Sequence, residues 1–250
     1  MELKFEKEYV IKKAEKESKP SEEFLEGEKP FEYNFKFPTG EEFNARQSNR
    51  GGGIITIERN GETIFDFKNI LPEGYKFVTP TYFKKHPDER YLLDYVDTDW
   101  RESPKRKLIF LGEFKSPQDV LLILHEIGHA FTETEEEFKI REQIEEGIHK
   151  ASEDRDIILE TLMSEEGAKM ASKAERNAWA WSLRTMRKIQ QEIKADLKSL
   201  FPKFSDLKRH INDYLATHRR SYEYIIAQGY DEDFYKELQK FFDRWQYGPK

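Results

Sequence analysis

Five aliphatic residues, Val120 to Leu124, run without interruption into His125-Glu126-Ile127-Gly128-His129. Ser116-Pro117-Gln118-Asp119 stands just before them and offers an N-cap side chain, a proline at the first helical position and an acid in the first turn. A helix opening at Pro117 is predicted, and its apolar run demands burial on nearly every side. This is a severe constraint, because polar groups on a buried helix cost free energy unless they are coordinated or hydrogen-bonded. The i, i+4 spacing puts His125 and His129 on one face, one turn apart, where two imidazoles can share a metal ion. Glu126 is offset from that face and is placed to act as general base on a water that the metal activates, not as a ligand. Gly128 weakens a helix by roughly 1 kcal/mol relative to alanine, so a close backbone approach is expected there. The competing reading is a pair of core histidines satisfied by hydrogen bonds.

No cysteine occurs among the 250 residues, so a thiol nucleophile, a disulfide scaffold and a Cys-type zinc site are all excluded. A catalytic zinc takes three protein ligands and keeps a fourth position open, so a third His, Asp or Glu must come from elsewhere. The continuation HExxHxxGxxH fails, because Thr132 stands where Gly is required and Glu135 where the third His belongs. Glu133, Glu135, Glu136 and Glu137 form a dense acidic run that reads as a solvated loop and the cap of a following helix. His149 and Glu160 lie on amphipathic helices, His149 among charged residues. Glu175 is the favoured candidate, since it heads the apolar stripe of Ala178, Trp179, Trp181, Leu183, Met186, Ile189 and Ile193. An exposed first-turn glutamate complementing the helix dipole is the alternative.

Upstream, FEYNFKF at 31–37 alternates apolar and polar residues before Pro38-Thr39-Gly40, and Asn60-Gly61 joins two apolar-rich runs as a hairpin turn. The triple glycine at 51–53 lacks the spacing of a phosphate loop and leads into a strand, so phosphate binding is not expected. Residues 73–106 read as irregular connection with a short helix near Thr81, and Lys107 to Leu111 as a strand. Beyond Pro117 the pattern is helical, with breaks near Thr132, Ser152, Gly167, Pro202 and Gly229. The division predicted is a β-rich lobe over 1–115 and a helical lobe over 116–250, with the metal near their junction, in an α+β fold.

The 19 Phe, 12 Tyr and 4 Trp give a chain with 36% charged residues the bulk for a packed core. A net charge of -7 repels phosphate backbones and anionic lipid, so neither nucleic acid nor a membrane is an expected partner. The first residues, MELKFEKEYVIKK, hold no apolar signal region, and the chain is read as cytoplasmic.

The segment HEIGHAF at 125–131, preceded by KLIFL and followed by Glu175-Arg-Asn-Ala178-Trp-Ala-Trp181-Ser182, resembles the ImmA/IrrE-like zinc metallopeptidases. The resemblance covers roughly residues 107–132 and 174–183, with Trp181 and Ser182 in the places of the family's Phe and Ala. It implies a minimal zincin-like, gluzincin-type fold, with His125, His129 and Glu175 as zinc ligands and Glu126 as catalytic base. It further implies a protein or peptide substrate, often a transcriptional regulator. An oxyanion partner is sought in His210, Tyr214, His218 and Tyr222, which follow one another at four-residue intervals on one helical face. The Lys107–Leu111 strand is expected to pair with substrate as a sheet edge. Two other answers stand beside a peptidase: a hydrolase acting on a non-peptide bond, and a non-enzymatic adaptor with an inert or structural metal site.

Overall fold

A computed structural model describes residues 31–48, 52–79, 101–103, 107–134, 136–137, 139, 165–211 and 213–214, the side chains of 101–103 and 165–172 aside. Four strands, β1 (Glu32–Lys36), β2 (Glu42–Gln47), β3 (Gly53–Arg59) and β4 (Glu62–Asp66), form an antiparallel sheet in sequential order. Alternation sets which face is buried: along β2, Phe43 and Ala45 point into the core while their neighbours are only half-buried. The predicted hairpin turn between β3 and β4 is present, with positive φ at both Asn60 (53°) and Gly61 (77°), as a primed turn requires.

A second sheet lies in and beyond the stretch read as irregular. β5 (Lys76–Val78) pairs parallel with β7 (Leu108–Phe110), and β6 (Arg101–Ser103) pairs antiparallel with β7 on its other side. The KLIFL strand is therefore the middle strand, buried and bonded on both flanks, and not the open edge expected of a substrate-pairing strand. The two sheets meet at the glycine run: Gly52 bridges to Val78, and a Cβ on Gly53 would collide with the Leu111 side chain. Close sheet contact accounts for glycine at Gly53.

Two long helices among the described residues join the sheets in a mixed architecture compatible with α+β. α1 (Val120–Thr132) follows a 3-10 turn over Pro117–Asp119, and α2 spans Glu165–Ile193. The predicted cap forms: the Asp119 carboxylate accepts from the Lys115 and Ser116 amides at 2.6 and 2.9 Å. α1 ends at Thr132 as expected, and Gly167 itself lies inside α2, whose described part opens two residues earlier at Glu165. A further helical segment covers 204–211 and 213–214. One apolar core joins Phe43, Phe65 and Phe67 of the first sheet region to Leu121 and Ile127 of α1, Trp179 and Met186 of α2, and Leu207 and Ile211 beyond. Thr81, Ser152 and Gly229 lie outside the described residues. Among those described, no helix is long and apolar enough to cross a membrane.

A polar clasp ties the first sheet to the end of α2. Buried Glu41 accepts from Thr39 and from Arg59, whose Nη2 also donates to the Ile193 carbonyl at 2.6 Å. Burial alone raises the Glu41 carboxyl; the hydrogen bonds from Thr39 and Arg59 and the Arg59 charge outweigh it and hold the group below its usual range. A folded-state value below the unfolded one stabilises the protein above about pH 4.3, and that contribution is lost as pH falls through the folded value. Glu41→Gln should thus flatten the acid-side fall of Tm between about pH 5 and pH 3, followed by circular dichroism. Parallel slopes for variant and wild type would refute this.

Candidate metal centre

The register between α1 and α2 builds the site. A Cβ on Gly128 would stand 2.7 Å from the Ala178 carbonyl oxygen and 3.1 Å from its Cα, so the two backbones touch where Gly128 faces Ala178. His125 and His129 flank Gly128 on α1, and Glu175 sits one turn before Ala178 on α2. The crossing point thereby fixes all three side chains opposite one another. The expectation of close backbone approach at Gly128 is met.

The Nε2 atoms of His125 and His129 are 3.1 Å apart. Glu175 Oε2 lies 3.1 Å from His125 Nε2, and Oε1 lies 3.3 Å from His129 Nε2. Four N/O donors arranged tetrahedrally at about 2.0–2.1 Å from a zinc ion are separated by about 3.3 Å, close to the 3.1 Å between the two imidazole nitrogens and to the distance from each of them to its nearer Glu175 oxygen. Glu175 Oε2 is buried and accepts no hydrogen bond of sound geometry, despite its nearness to His125. The three residues form a group that could hold a metal ion.

Burial alone would raise the Glu175 carboxyl, yet the charges of His129 and His125 beside it hold it well below the usual carboxylate range. Its side chain is 21% exposed, against 0% for His125. Glu175 is the eleventh residue of α2 as described, not a first-turn residue complementing the dipole. The His125 ring is set by packing: it stacks on Trp179 at 4.0 Å and 25°, and meets Tyr214 edge-on at 5.3 Å. Its Nδ1 is buried without a hydrogen-bond partner, so aromatic contacts orient this ring where metal sites ordinarily use a hydrogen bond.

Glu126, adjacent in sequence, is 3% exposed and stands outside the group of three. Its Oε1 accepts a hydrogen bond of 2.5 Å from the Tyr214 hydroxyl, 88 residues away. The sequence marks Tyr214 only as one of four oxyanion candidates. His210 instead packs on Phe201, and burial lowers its pKa against the pull of Asp119 and Asp213. Trp179 carried a signal that went unused, since it stands four residues after Glu175 and so one turn along the same face.

One member of the acidic run, Glu137, departs from the solvated loop expected, and Glu135 lies outside the described residues. Glu137 is buried, exchanges hydrogen bonds with Thr134 as a Thr-x-x-Glu capping box, and pairs with Lys173 of α2 at 3.1 Å. Its expected role as a cap holds, while Glu136 is exposed and neither joins the metal group. His149, Glu160, His218 and Tyr222 lie outside the described residues.

No family model, curated protein or solved structure matches this chain.

Proposed function

We propose that this chain is a zinc-dependent metallopeptidase with a zincin-like arrangement, of the kind implied by its resemblance to the ImmA/IrrE-like enzymes. One observation carries the reading. His125, His129 and Glu175 converge, while Glu126 stands outside their group with its carboxylate held by a neutral phenol. Two imidazole nitrogens and a carboxylate oxygen are a donor set of catalytic zinc sites, which keep a further position open. When bound there, zinc supplies Lewis-acid polarisation of a carbonyl and lowers the pKa of water.

The chain's own residues divide the remaining work. Glu126 accepts the proton that water gives up on attacking a peptide carbonyl, and returns it to the departing amine. Trp179, fully buried beneath His125, keeps solvent from the inner side of the group. The resemblance suggests a regulatory protein as substrate.

Elemental analysis of purified wild type after zinc loading should find about one zinc per chain. His129→Ala and Glu175→Ala should each weaken binding by more than about 100-fold in competition with a chelator, because even supporting residues around a metal are worth 10–100-fold. The loaded wild type should also cut members of a mixed peptide pool, read by mass spectrometry. A wild type that takes up no zinc overturns the proposal. One zinc with no cleavage of peptides leaves the hydrolase of a non-peptide bond and the adaptor with a structural metal.

A further inference from the structure

We infer that Tyr214 is the positioning residue of Glu126, fixing one carboxylate oxygen so that the other is presented to the reacting water, and that the carboxyl-terminal helical segment is therefore part of the working site. This rests on the peptidase reading and deepens it. The last torsion of a glutamate is broad and nearly two-fold, so packing of the methylenes does not by itself decide which way the carboxylate plane faces. A hydrogen bond to one oxygen does. The Tyr214 hydroxyl donates to Glu126 Oε1 at 2.5 Å, a short contact for a pair of oxygens.

The phenol is itself held. Its ring meets Trp179 at 5.7 Å and 82° and His125 at 5.3 Å and 75°, and Tyr214 is 7% exposed. Trp179 and His125 stack on each other, so three rings lock together and one of them belongs to the metal group. Any displacement of the carboxyl-terminal segment is transmitted to Glu126 through a single hydroxyl and to His125 through ring contact. The phenol is also neutral, so it orients the carboxylate without adding a cation to the group.

The test uses the full zinc-loaded chain and a peptide that the wild type cleaves. Tyr214→Phe removes the hydroxyl and keeps the ring, so zinc content should stay at the wild-type level and KM should change by less than about two-fold. kcat should fall about 10- to 100-fold, the cost of a catalytic group misplaced by a fraction of an ångström. In parallel, the hydroxyl-proton NMR signal of labelled Tyr214 in the chelator-treated chain should stand far downfield and move upfield on Glu126→Gln, a readout that needs neither metal nor turnover. A wild type that cleaves while Tyr214→Phe matches its kcat overturns this inference alone; a wild type that binds zinc and cleaves nothing overturns the peptidase reading as well. If Tyr214→Phe does not fold, a hydroxyl signal unmoved by Glu126→Gln overturns the inference, and a moved one supports it.

Discussion

Glu126→Gln is expected to leave zinc content at the wild-type level and to cut peptide turnover by about 100- to 10,000-fold, the usual contribution of a positioned general base. The reason for expecting so clean a separation is geometric. Glu126 is not one of the three converging donors, so removing its charge subtracts nothing from them. Glutamine keeps an Oε1 that can accept from Tyr214, which preserves the 2.5 Å contact in weaker form and with it the packing of Tyr214 against Trp179 and His125. What glutamine lacks is an oxygen able to take up a proton. Loss of kcat with little change in KM would mark an interaction needed in the transition state and not in substrate binding. Undiminished turnover would remove Glu126 from the mechanism, whereas loss of zinc would show that it helps to hold the metal. The adaptor reading gives the opposite result, since a binding surface elsewhere on the chain has no use for a base at this position.

The parts of the molecule legible in its sequence are those fixed by neighbours a few residues apart. Ser116 and Asp119 cap α1 across three positions, Asn60-Gly61 turns a hairpin on its own backbone preference, and the five aliphatic residues before His125 announce burial directly. Glu175 was accessible by the same means, because an acid at the head of an apolar stripe needs a partner. The strands β5 and β6 are not legible in the sequence because three residues give no period to recognise, and because the parallel β5–β7 pair joins segments about 30 residues apart. KLIFL shows the limit most sharply. Its strand character is local and was read, but its place in the middle of a sheet depends on what pairs with each flank. Glu137 is legible in part: its capping box with Thr134 is local, whereas its pairing with Lys173 on a distant helix leaves no mark in a run of acids that resembles a solvated face. The contact between Tyr214 and Glu126 had no local signature at all.

Gly128→Ala is expected to destabilise the fold by about 1–3 kcal/mol and to weaken metal binding at least as much, against the ordinary preference of a helix for alanine. Propensity alone would stabilise α1 by roughly 1 kcal/mol, so the sign of the measured change decides which effect wins. Steric contact should win. The added methyl carbon would stand 2.7 Å from the Ala178 carbonyl oxygen, 3.1 Å from its Cα and 3.2 Å from its carbonyl carbon, all of them backbone atoms. No side-chain rotation relieves that overlap, so α1 and α2 must move apart. His125 and His129 ride on one helix and Glu175 on the other, which means that the separation opens directly between the donors. Metal bonds tolerate deviations of only about 0.2 Å, so affinity should suffer more than Tm does. Thermal denaturation of the chelated chain and zinc competition on the loaded one measure the two effects separately. Shrinking the opposing residue gives a further check: Ala178→Gly leaves all three contacted atoms in place and should not rescue Gly128→Ala. A Tm raised by Gly128→Ala would mean that the helices do not meet at this point, and that the convergence of His125, His129 and Glu175 has some other cause.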